Sequence, residues 1–146
     1  MEQSNRRVEV RGSDLADVQR IVGMDGLLDE AEVARRSWSV FEIDDKAIFD
    51  KDARHLASAF RVAKSDCFYV ARVSDLMTSM GTLTAYQFEA TQDEIEAFQG
   101  PSWFEVNLDD CLLFTLPFTC AVLRPGYVDR TKFVGSIAFI AEISKL

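Results

Sequence analysis

The sequence predicts an α+β fold: a single domain over residues 1–146, with a curved, mainly antiparallel sheet of five to seven strands and three or four helices packed mostly on one face. Three observations lead there. Short segments with apolar residues at every second position are interspersed with segments of helical spacing. Their order is irregular, without the regular strand–helix–strand succession of a parallel sheet. Towards the C-terminus apolar runs follow one another across loops too short for a crossover, which implies antiparallel pairing. A hydrophobic share of 48% is enough for a core, and a charged share of 27% is that of a folded chain.

Taken in order, RRVEVR at 6–11 alternates and predicts a strand with Val8 and Val10 inward. Ser13 and Asp14 are N-cap types ahead of a helix carrying Leu15, Val18 and Val22 at helical spacing, and GMDG at 23–26 reads as a turn. Residues 27–36 predict a second helix, acidic at its start and ending in Arg35 and Arg36, as the helix dipole favours. SWSVFEI at 37–43 predicts a strand. Residues 50–64 predict a basic-faced helix with Ala53, Leu56, Ala57 and Phe60 on its apolar side. CFYVARV at 67–73 is rich in β formers, 75–80 suits a short helical turn, and 83–89 alternates as a strand. Thr91 and Glu94 have the spacing of a capping box, and Gly100–Pro101 ends that helix, which turns Ile95 and Phe98 inward and Asp93 and Glu96 outward. Phe104 to Val106 begins another strand. The even positions from Leu112 to Val122 are apolar, predicting a strand interrupted at Pro117 in the manner of an edge or bulge, and 133–143 predicts the last strand.

Several chemistries lack their residues. Three cysteines, no CxxC and a single histidine, His55, give no zinc-ligand spacing, so no metal site or cofactor is expected and the thiols are expected to stay reduced. The adjacent pairs Asp44–Asp45 and Asp109–Asp110 send their side chains to opposite faces of an extended chain and suit turns better than an acid–base dyad. Nothing orients His55 towards Cys67, and GMDG and SMGT lack the spacing and lysine of a phosphate loop. A non-enzyme is expected. The apolar run at 111–123 falls short of the ~20 residues that span a bilayer, and the N-terminal residues lack the apolar run of a signal peptide. A soluble, cytoplasmic protein without membrane contact is expected.

Charge is the most informative feature. Between Val73 and Leu123 there is no Lys or Arg but eight acids, so the net charge of −8 sits in one window. Such a field favours a basic protein partner and repels nucleic acid. Glu89, Asp93, Glu96, Glu105, Asp109 and Asp110 are the expected partner-binding acids, with Trp103 and Phe104 as the apolar anchor that such interfaces need. The acids are expected to be exposed in one patch beside Trp103. The expected function is a protein-binding module that docks a basic partner. Immunity proteins, antitoxins and phage-type inhibitors of nucleic-acid enzymes are its analogues in size and charge. The alternative is a small-ligand-binding or enzymatic α+β domain that uses an apolar cavity against the sheet.

Overall fold

The computed structural model describes residues 5–103, 106, 109–126 and 128–145. Strands form at β1 (Arg7–Arg11), β2 (Ser39–Ile43), β3 (Cys67–Arg72), β4 (Thr82–Glu89), β5 (Cys111–Phe114), β6 (Cys120–Arg124) and β7 (Thr131–Gly135). They join in one antiparallel sheet in the order β1-β4-β3-β5-β6-β7-β2, as the expected fold class requires. The helices are α1 (Gly12–Arg20), α2 (Glu30–Arg35), α3 (Asp50–Val62), α4 (Val73–Thr78), α5 (Gln92–Ala97) and α6 (Ile137–Ile143), with a 3₁₀ turn at Pro101–Trp103.

Among the described residues these helices divide between the two faces of the sheet instead of gathering on one. On the first face α3, α5 and α6 bury Leu56, Phe60, Ile95, Phe139 and Ile143 against Phe68, Phe88, Leu113, Val122 and Phe133. On the second, α1, α2 and α4 bury Leu15, Val18, Val33 and Leu76 against Leu83, Leu112, Phe114, Ala121 and Leu123. β5 and β6 lie between the two layers, so every residue of both strands is buried. A strand covered on both faces reads as a continuous apolar run. That is why 112–122, predicted as one interrupted strand, is in fact a hairpin: Thr115 to Thr119 reverse the chain, and Phe114 pairs with Ala121. The Thr115 hydroxyl holds the reversal together, donating to the Pro117 carbonyl at 3.0 Å and accepting from Thr119 N–H at 3.2 Å.

The predicted strand at 133–143 also divides. β7 ends at Gly135, Ser136 caps α6 by accepting the Phe139 N–H at 3.4 Å, and the rest is helix. Gly135 is needed where the two meet, because a Cβ there would lie 2.6 Å from the Cys120 Cβ and 2.9 Å from the Phe139 ring. Other expectations hold more closely. Thr91 caps α5 by accepting the Glu94 N–H at 3.2 Å, and Asp29 caps α2, which starts later than predicted. Phe104 and Glu105, where a further strand was expected, lie outside the described residues.

Candidate functional site

The pairing register gives the sheet two distinct ends. Cys67 pairs with Glu89 at one end of β3, and Arg72 pairs with Cys111 at the other. Glu89 and Asp109 therefore lie near opposite ends of a strand, separated by about 17 Å at the usual rise per residue. Asp93 and Glu96 sit on α5, over the first core. Among the described residues Glu89, the α5 pair Asp93 and Glu96, and Asp109 thus lie at three places.

Most of them also have local partners. Glu96 is half-buried and accepts the Asp50 N–H at 2.7 Å, at the start of α3, and the Gln92 side-chain amide at 3.2 Å. Asp110 is half-buried and accepts the Gly126 N–H at 2.8 Å. Asp109 is exposed and lies 3.4 Å from Arg72, which also pairs with Asp75 at 3.0 Å. Glu94 is gripped by both terminal nitrogens of Arg6 at 2.5 and 2.8 Å, and this bond holds its carboxyl below the ordinary value. Glu89 and Asp93 are exposed. The Lys/Arg-free window thus receives its cations from Arg6 and Arg72, both outside it in sequence.

Trp103 is a correction. It is 1% exposed, with its ring edge-to-face against Tyr86 and Phe88, each at 5.0 Å between centroids, so it belongs to the first core and offers nothing to a partner. Phe104 and Glu105 cannot be placed with it, being outside the described residues.

A different surface gathers apolar groups at the Arg72 end, on the second face. After α1 the chain makes a tight turn: Gly23 N–H donates to Leu27 O at 2.8 Å, Gly26 N–H to Gly23 O at 3.0 Å, and Asp25 accepts the Leu27 N–H at 3.0 Å. Gly26 takes a positive φ of 79°, which favours glycine. Val22 and Leu28 bridge beneath the turn, leaving Met24 99% and Leu27 58% exposed at its tip. Leu27 and Leu28 then line an apolar cleft of about 250 Å³ with Leu123, Pro125 and Val128, rimmed by Glu42, Asp110, Arg130 and Lys132. A broader depression of about 580 Å³ adjoins it, where Met24, Asp25, Asp29 and Glu30 join Leu27, Leu28 and Lys132. A third groove of about 170 Å³ joins Met24 to Met77 and Leu76.

Of nine large hydrophobic residues exposed on the described surface, Met24, Leu27, Met77 and Val128 line these three hollows. A fifth, Val40, shares a face of β2 with Glu42. The exposed apolar groups of the described surface are thus concentrated at this corner. Sequence reasoning missed it, although a methionine and a leucine flanking the turn residues Asp25 and Gly26 were the available signal.

The groups with catalytic potential are tied up otherwise. Cys111 and Cys120 are buried, and burial pushes their thiols to about 11 and about 12. Cys67 is half-buried, with its sulfur 3.7 Å from the Tyr69 hydroxyl, and burial pushes that phenol to about 12. Ser58 donates to Glu142 at 3.1 Å, and Glu142 is also bound by Lys145 at 3.0 Å, an arrangement that steadies α6 on α3. Among the described residues no group of three or more His, Cys, Asp or Glu side chains is disposed to hold a metal ion. Likewise no helix is long and apolar enough to cross a membrane. Comparison of the chain with protein-family models, curated proteins and solved structures returned no match.

Proposed function

We propose that the protein is a binding module that docks a basic protein partner, with the apolar corner around the Leu27–Leu28 cleft as its contact surface. The observation that carries this reading is the concentration of exposed apolar side chains there, Met24, Leu27 and Val128 foremost. A desolvated apolar centre inside a charged rim is how protein interfaces divide affinity from steering.

Two features select the partner. The lining of the cleft and the adjoining depression holds five acids, Asp25, Asp29, Glu30, Glu42 and Asp110, against Arg130 and Lys132. Both cations already lie within ion-pair distance of Glu42, at 3.1 and 4.0 Å, so the excess is negative and complements Lys or Arg on a partner. The apolar cleft, at about 250 Å³, is also smaller than the ~300–1,000 Å³ of typical small-molecule pockets. It suits one or two inserted side chains. Within this class the negative charge fits an inhibitor of immunity, antitoxin or phage type, whose carboxylates fill a basic cleft. The second reading, a small-ligand site, draws on the convergence of Glu42, Asp110, Arg130 and Lys132 on that same cleft.

The test is capture from native cells with the wild-type chain and with Leu27→Asp, a change at an exposed position. A stoichiometric basic protein held by the wild type and lost with Leu27→Asp, more weakly held as salt rises, supports the proposal. Equal capture by both chains overturns the assigned surface. A small molecule in the native mass spectrum, with no protein partner, transfers the cleft to the second reading.

A further inference from the structure

The last helix, α6, reads IAFIAEI, apolar at every position but one. Phe139, Ile140 and Ile143 enter the first core, while Ile137, Ala138 and Ala141 stay exposed, Ile137 at 75%. A surface helix ordinarily carries polar or charged residues on its outer face, and a helix that is apolar all round is a buried one. Glu142, the single charge, is already held by Ser58 of α3 at 3.1 Å and by Lys145 at 3.0 Å. The outer side of α6 thus has the composition of a covered surface.

What lies beside it is cationic. Phe139 packs on Phe60 with 5.8 Å between ring centroids, and Glu142 meets Ser58. The helix α6 therefore runs antiparallel along α3 and brings Ile137 to the end where Val62 is exposed. Along α3, Lys51, Arg54 and Arg61 fall in one row with Ser58, at spacings of three and four residues, so the row borders α6. Lys64 follows at the end of the helix, and from Ala53 to Ser65 there is no acid. All four cations are exposed, and among the described residues none lies within ion-pair distance of a carboxylate. Arg130 and Lys132 of the Leu27 cleft, by contrast, are already paired with Glu42.

We propose that α6 and the cationic row of α3 form a second docking surface, and that its occupant is an acidic amphipathic helix of a partner protein. The apolar face of that helix rests on Ile137, Ala138, Ala141 and Val62, and its carboxylates meet Lys51, Arg54 and Arg61. Recognition of a helix uses anchors three, four and seven residues apart. The cations of α3 repeat at the same spacing, so a helix laid along α3 keeps its carboxylates in step with them. The apolar strip decides between anionic partners. A phosphate backbone is bound through its charge and would leave α6 uncovered, and a net charge of −8 repels a long polyanion. A short helix instead meets the local field, which at 0.1 M salt reaches ~10 Å. This surface is on the first face of the sheet and the Leu27 corner on the second, so the inference goes beyond the basic-partner reading and does not depend on it.

The probes are three fluorescent peptides of about four helical turns, measured by anisotropy against the full chain. In the first, Leu and Ala form one helical face and Glu the other. The second has Lys in place of Glu, and the third has the composition of the first without the helical period. The first is expected to bind, with at least about tenfold loss for the second and the third. A loss of at least about tenfold is also expected against Ile137→Asp and against the double variant Arg54→Glu/Arg61→Glu, whereas Leu27→Asp leaves binding unchanged. Ile137 is exposed in the first turn of α6, where a carboxylate suits the helix dipole, and both arginines are exposed, so these changes spare the core. No binding of the first peptide, equal binding of the second or third, or undiminished binding to either variant overturns the inference. Where a variant fails to fold, the comparison of the three peptides decides. Loss of binding with Leu27→Asp moves the acidic helix to the other corner and overturns the assigned surface. Duplex DNA that binds more tightly than the first peptide assigns the cations to nucleic acid, and also overturns it. So does a wild-type dimer that Ile137→Asp converts to a monomer in sedimentation, which assigns α6 to a second copy.

Discussion

Replacing Trp103 by alanine distinguishes a core aromatic from a surface anchor by its size of effect. The ring is fully enclosed, and its edge-to-face partners Tyr86 and Phe88 both project from β4, which is paired on both sides by β1 and β3. Neighbours fixed to a strand cannot collapse far into the space left behind, so the substitution loses both transfer free energy and packing. Phe and Trp to Ala changes of this kind cost about 3–5 kcal/mol, and two lost ring pairs place this one towards about 4–5 kcal/mol. With a urea dependence of about 2 kcal/mol/M, the midpoint of unfolding falls by about 2 M. The melting temperature falls by about 12–15 °C, at roughly 3 °C per kcal/mol for a chain of this length. Far-UV circular dichroism across a urea titration measures the shift, with the fluorescence of Trp38 as a second probe in the variant. An exposed anchor would change stability by no more than about 0.5 kcal/mol. A midpoint within about 0.3 M of wild type therefore refutes the burial argument and restores Trp103 to the surface.

Two further outcomes are expected. Under native alkylation, Cys67 reacts first and gives a single adduct, since Cys111 and Cys120 are buried and their thiols raised to about 11 and about 12; mass spectrometry showing prompt double or triple modification would contradict this. Glu94→Gln removes a carboxylate that Arg6 holds below the ordinary value of 4.5, so its stabilising contribution is present above about pH 4.5 and disappears as pH falls through the folded value. Urea midpoints of wild type and variant should differ at pH 7 and draw together as pH falls below 4.5, and a difference that stays constant as pH falls would show the bond contributes nothing.

The segments legible in the sequence are those with one wet side. β1, β3, β4 and α3 each carry a polar face, so their periodicity survives and their positions were predicted closely. Periodicity fails where both sides are dry. Odd positions such as Leu113 and Val122's neighbours Ala121 and Leu123 were as apolar as the even ones, and the missing alternation concealed both a hairpin and a second helical layer. In the apolar run at 133–143 a single serine marked the change from strand to helix. The candidate site was less legible, for a reason particular to charge. A stretch without Lys or Arg is unneutralised only along the chain; folding brings Arg6 to Glu94 across 88 positions and Arg72 to Asp109 across 37. Trp103 gave no warning of its burial either, since aromatics serve cores and interfaces alike. The apolar corner around Leu27 depends on which side of the sheet the turn lands, and that is a property of topology.

The order of the strands also imposes a timetable on synthesis. Both outer strands come from the first 43 residues, whereas the five strands between them come from residues 67 to 135. β1 can join once β4 has left the ribosome, but β2 must wait for β7, whose pairing residues lie 88 to 96 positions further along. At about 5–20 residues per second that is an interval of roughly 5–20 s in which SVFEI is nascent and unpaired on both sides. Long-range closure of this kind slows folding and leaves a hydrophobic strand open to adventitious pairing or to chaperones. β2, among the first strands to be made, is therefore the last to be received into its own sheet.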